Sequence, residues 1–101
     1  MKFIITNQSL DRLEDSLTFY LKDLQIPLEK VAEIKERLLL STNRLVKNPY
    51  IGQIEPYLVK LNKAHRRIIE GNFKIIYRIE NETIYVTDFF DSRKDPEEMK
   101  D

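Results

Sequence analysis

A chain of 101 residues, 42% hydrophobic and 34% charged with no net charge, fits a single domain (1–101) with a modest core. The absence of cysteine excludes disulfides and thiolate metal sites, a lone histidine excludes a histidine cluster, and neither metal nor cofactor is expected. The apolar stretch after Lys2 is three residues long, too short for a signal-peptide core or a membrane span, so the chain reads as cytoplasmic.

Taken in chain order, KFIIT (residues 2–6) is β-branched and apolar and predicts a short strand. Asn7 or Ser9 can cap a following helix, in which Leu10, Leu13, Leu17, Leu21 and Leu24 form one stripe flanked by Phe19 and Tyr20. Pro27 interrupts that pattern, because proline disfavours helical backbone at the preceding residue and has no amide hydrogen to donate. A second helix with Val31, Ile34, Leu38 and Leu45 on one face runs to Asn48-Pro49, completing an αα-hairpin. A loop through Gly52 and Glu55-Pro56 leads to three period-two runs, 65–70, 73–80 and 83–90. Gly71-Asn72 is a good tight turn between the first two, and Asn81-Glu82 a weaker one between the others. Pro96 to Met99 predicts a short last helix, its acidic residues favouring the N-terminal end.

Two-residue turns fix a register, in which Arg67 opposes Ile76, His65 opposes Arg78, Arg78 opposes Tyr85 and Lys74 opposes Phe89. One sheet face then collects Ile68, Phe73, Ile75, Tyr77, Ile84 and Phe90 and is expected to meet the helices. The other collects His65, Arg67, Lys74, Arg78, Tyr85 and Phe89, interleaving cations with rings. That mixture suits phosphates and stacked bases, or an acidic amphipathic peptide. It equally describes a solvated face whose cations sit beside carboxylates. Charge along the chain makes this concrete: residues 60–78 carry a net +5 and residues 79–101 a net −5, so an acidic tail folding back can neutralise the stripe.

The order of pieces resembles the RelE/ParE superfamily of bacterial type II toxin–antitoxin toxins. The pieces are a short strand, a helical hairpin, NP-x-x-G at residues 48–52, HRRIIEGNFKIIYRIENETIYV and a closing FFDSRKDPEEM with its R-x-D-P. The resemblance implies an α+β, β-α-α-β-β-β fold with the helical hairpin on a small, mainly antiparallel sheet. It also implies neutralisation by a cognate antitoxin, growth inhibition when free, and a role in plasmid stabilization. Two activities divide the superfamily: RelE-like toxins cut messenger RNA on the translating ribosome, and ParE-like toxins poison DNA gyrase.

By position, the metal-independent endoribonuclease activity would fall to Arg67, Lys74 and Arg93, with His65 where another basic residue sits. These are the groups that would stabilise a phosphorane and move protons. Arg78, Tyr85 and Phe89 complete the binding face. No tyrosine or histidine follows Tyr85 for proton transfer, and the chain is neutral where ribonuclease members tend to be basic. The long hairpin, NP-x-x-G and R-x-D-P look more like ParE, so gyrase is the expected target, with mRNA cleavage, or an inactive chain that only binds antitoxin, as the alternatives. Arg93 beside Asp91 and Asp95 also reads as a surface ion pair of small energetic value.

Overall fold

A computed structural model describes every residue from Met1 to Asp101. β1 (Lys2–Ile5) is followed by α1 (Asn7–Lys22), α2 (Leu28–Ser41) and the short α3 (Asn43–Lys47). Next come β2 (Gln53–Ile54), a 3-10 helix (Pro56–Leu61), β3 (Arg66–Glu70), β4 (Phe73–Glu80), β5 (Thr83–Asp91) and a 3-10 turn (Pro96–Glu98). The sheet order is β1-β5-β4-β3-β2, and only the β1–β5 pairing is parallel. This is the expected α+β arrangement of a helical hairpin on a mainly antiparallel sheet, with a two-residue edge strand and a break in the second helix added.

The first helix is capped by Thr6, one residue before Asn7 and three before Ser9, the two expected caps. Thr6 Oγ1 accepts from the Ser9 amide at 3.2 Å and donates to the Val86 carbonyl at 2.9 Å, so one hydroxyl both caps α1 and ties it to β5. Leu13, Leu17 and Tyr20 bury the helix's inner face, whereas Leu21 and Leu24 are exposed. Leu21 falls in the last turn of the helix and Leu24 beyond its end at Lys22. The Asp23 and Leu24 amides both return to the Phe19 carbonyl, and Gln25 turns the chain at φ 51°. In the second helix, Ser41 and Thr42 break the regular backbone, the Thr42 hydroxyl donating to the Leu39 carbonyl at 2.6 Å. The apolar face survives the break: Val31 and Leu38 of α2 and Leu45 of α3 are all buried in the main core.

NP-x-x-G has a packing reason. The Tyr77 hydroxyl donates to the Pro49 carbonyl at 2.8 Å and accepts from the Gly52 amide at 2.9 Å. A Cβ on Gly52 would lie 2.6 Å from that hydroxyl oxygen and 2.7 Å from the Arg67 carbonyl, so only glycine fits. Tyr77 thus closes the loop from beneath, and burial raises its phenol pKa.

The β3–β4 register is the expected one, from Glu70 opposite Phe73 to Arg67 opposite Ile76. Between β4 and β5 the expected register holds only from Glu80–Thr83 to Tyr77–Val86. There a bulge leaves Thr87 unopposed; Ile76 pairs with Asp88 and Lys74 with Phe90, not Phe89. One extra residue reverses the facing of everything after it. Phe89 therefore lies in the helix-side core with Leu13, Tyr20 and Ile75, which corrects its placement on the basic face. Phe90 takes that place, in a second small core with Leu58, Ile76 and Met99.

Candidate functional site

The outer face of the sheet, away from the helices, carries the basic residues, and each meets a carboxylate. Glu55 precedes the 3-10 helix, capping it by accepting from the Tyr57 amide at 3.0 Å, and its side chain is fully buried. Lys74 Nζ lies 3.0 Å from Glu55 Oε1 and 5.7 Å from the centre of the Tyr57 ring. Arg67 Nε lies 3.7 Å from the same oxygen, while its Nη1 donates to the Ile54 carbonyl at 2.7 Å. Two cations sharing one buried anion satisfy the rule that buried charges are paired.

His65 and Arg78 meet the acidic tail. Residues 96–101 cross the outer face, and the Asp101 carboxylate stands 2.6 Å from His65 Nε2, 2.7 Å from Lys63 Nζ and 3.4 Å from Arg78 Nε. Burial alone would raise this carboxyl, but bonds from Lys63 and His65 outweigh it and hold its pKa below the ordinary value. Arg78 also stacks over Tyr85, 4.7 Å from the ring centre, as their opposed register requires, and pairs with Glu80 at 2.7 Å. The His65 side chain is wholly buried and its Nδ1 has no partner. Its Nε2 is turned towards the tail.

Beneath the tail lies Asp88, brought to this face by the bulge and fully buried. Arg12 Nε of α1 is 2.7 Å away, and the Lys100 amide donates to Asp88 at 2.9 Å. Burial raises its pKa despite both contacts.

Arg93 is not among these groups. It follows β5 on the helix side, its guanidinium 5.1 Å from the centre of the Tyr20 ring. Nη2 donates to Asp91 at 2.9 Å and to the Tyr20 hydroxyl, which in turn donates to Asp91. Hydrogen bonding to Asp91 pushes the Arg93 pKa further up. Burial would raise Asp91, but bonds from Arg93 and Tyr20 hold it below the ordinary carboxylate range. Tyr20 itself is pushed up to about 12, by burial first and then by its bond to Asp91. Arg93 nevertheless stays about half exposed, at the rim of a cleft lined by Phe19, Leu24 and Lys94.

The structure therefore brings His65, Arg78 and Tyr85 together, sets Arg67 and Lys74 beside them on Glu55, and separates Arg93 and Phe89. Sequence pattern does not single out Glu55 or Asp101 as the partners of these cations. The pairings of Glu55 with Lys74 and of Asp101 with His65 span 19 and 36 residues, so local pattern carries no trace of them. The net charges of the two adjoining segments were the one available signal. No candidate metal-binding group of acidic or histidine side chains is present. No helix is long and apolar enough to cross a membrane.

Residues 3–96 match the family model described as the ParE toxin of type II toxin–antitoxin system, parDE. No curated protein matches the chain.

Proposed function

The chain belongs to the ParE toxin family of type II toxin–antitoxin systems, and from that premise we propose that, when free of its antitoxin, it arrests growth by binding DNA gyrase. Membership implies the antitoxin partner. The choice of gyrase over messenger RNA rests on one observation: the cations a nuclease would aim at a scissile phosphate are committed to the protein's own carboxylates. Arg67 and Lys74 hold Glu55, and His65 holds Asp101. Cleavage needs such donors preorganised around developing charge, with none spent on a resident anion. The half-exposed Arg93, stacked on Tyr20 beside the exposed Phe19, suits a protein target instead, since arginine is enriched among the residues that anchor interfaces. On this reading the toxin acts in the cytoplasm and inhibits by binding, and its module serves plasmid stabilization.

Purified protein added to purified gyrase and relaxed plasmid tests it directly. Inhibited supercoiling with intact mRNA on translating ribosomes is the expected result. Cleaved mRNA with unimpaired supercoiling overturns the reading in favour of a ribonuclease. If neither changes, the chain is an inactive member that only binds antitoxin, and the reading falls as well.

A further inference from the structure

We propose that Tyr20 and Asp91 are positioning residues, which hold the Arg93 guanidinium in one orientation for an acceptor on the target protein before that target is met. The inference rests on the reading that Arg93 anchors an inhibitory contact with gyrase, and it adds which residues of the fold make the anchor effective.

The arrangement joins elements far apart in the chain. Tyr20 stands on the inner face of α1, its ring in the main core with its centre 6.1 Å from that of Phe73. Asp91 is the last residue of β5, in register with Phe73, and the amide that follows it, of Ser92, donates to the Asn72 carbonyl at 2.7 Å. Both partners of the arginine are thus buried and fixed by the sheet and the helix packed on it. Arg93 leaves the sheet in a turn closed by the Lys94 amide, which donates to the Asp91 carbonyl at 3.0 Å. Its own amide donates to Asp91 Oδ1 at 3.0 Å, so its main chain is held as well.

The side chain is held on three sides. Arg93 Nε donates to Asp91 Oδ1 at 3.1 Å and Nη2 to Oδ2 at 2.9 Å, so the guanidinium fork meets the carboxylate edge to edge. The Tyr20 hydroxyl donates to the same Oδ2 and accepts from Nη2, locking both members of the pair. The Tyr20 ring packs against the guanidinium, 5.1 Å from ring centre to guanidinium carbon.

Two features set this apart from an ordinary surface ion pair. The Arg93 side chain is 54% exposed, yet its guanidinium is fixed. An exposed arginine ordinarily gives up rotamer freedom when it enters an interface, whereas here that freedom is lost on folding, which favours later binding. The bonds to Asp91 and Tyr20 also use Nε and Nη2, leaving the two Nη1 donors for an incoming acceptor. Lysine would neutralise Asp91 but has no planar fork to be oriented in this way.

The test is a double-mutant cycle on gyrase inhibition, read as the concentration of toxin that halves supercoiling, with each variant assayed below its melting range. Tyr20→Phe keeps the ring and removes only the hydroxyl; it should raise that concentration about fivefold, within the span of coupling between residues in contact. Arg93→Lys should inhibit as weakly as Arg93→Ala. Tyr20→Phe combined with Arg93→Ala should be no weaker than Arg93→Ala alone, because the hydroxyl acts through the arginine. Unchanged inhibition by Tyr20→Phe overturns the proposal, and so do losses that multiply in the double variant, which make the hydroxyl's role merely structural. Full inhibition by Arg93→Lys overturns it too, since charge alone then suffices, and this arm decides the matter if Tyr20→Phe does not fold. An unaltered chain that leaves gyrase uninhibited overturns this inference together with the gyrase reading, whereas the other contrary outcomes leave that reading standing.

Discussion

Gly52 and Tyr20 show how single residues carry loads that their types alone do not announce. Gly52 is small because the Tyr77 hydroxyl and the Arg67 carbonyl occupy the space a Cβ would need. Gly52→Ala forces backbone to move and should cost about 1–3 kcal/mol in urea denaturation; an unchanged midpoint would mean that the loop yields freely. Tyr20 is raised from its ordinary value of 10.0 to about 12. A group raised on folding stabilises fully below its unfolded value and loses that contribution as pH rises through its folded value. The gap in thermal stability between the protein and Tyr20→Phe should therefore stay constant up to about pH 10 and narrow towards about pH 12. Asp91, lowered on folding, acts at the other end: its contribution is present above the ordinary carboxylate range and is lost as pH falls below it. Arg93→Ala leaves the buried Asp91 carboxylate with only the Tyr20 hydroxyl and the residue-93 amide as partners and should cost about 1–3 kcal/mol in folding. It should weaken gyrase inhibition about tenfold or more, measured as the concentration that halves supercoiling.

Among the elements, the two hairpins separate what was legible from what was not. Gly71-Asn72 fixed the β3–β4 register because a two-residue turn leaves one pairing, and Arg67 does lie opposite Ile76. The same rule gave the first four pairs of β4–β5 and then failed at Thr87. Nothing in Val86-Thr87-Asp88-Phe89-Phe90 announces a bulge: adjacent phenylalanines offer an apolar side chain to either face, so both registers satisfy the pattern. Only the packed sheet decides, with Phe89 against α1 and Phe90 under the tail. The cap of α1 was missed by one residue for a related reason. Thr6, Asn7 and Ser9 all have capping side chains, and the bond from Thr6 to Val86, 80 residues away, selects among them. The β4–β5 turn places Asn81 and Glu82 both at positive φ (50° and 58°), where glutamate is disfavoured and glycine is at ease. Glu82→Gly should stabilise the fold by about 0.5–1 kcal/mol in urea melts. A loss of stability would show that the Glu82 side chain contributes more than its backbone costs.

At the scale of the molecule, the acidic C-terminal tail lies against the basic stretch of the outer sheet face. The net +5 of residues 60–78 and the net −5 of residues 79–101 meet where the tail crosses the outer face, joined by Glu55 from the preceding loop. The fold class and the basic face were readable from alternation and turns. That the face is covered was readable only as one of several outcomes, because burial of Asp88 and Met99 depends on contacts with residues far away in sequence, Arg12 and Leu58 among them. On the proposed reading the covered basic face favours inhibition by binding, because a nuclease would need those cations free around the scissile phosphate. The most direct measurement follows labelled thymidine and labelled methionine in cells after inducing this chain without its antitoxin. DNA synthesis stopping first, with protein synthesis failing later, is the predicted result. Protein synthesis stopping within minutes while thymidine incorporation continues would contradict it.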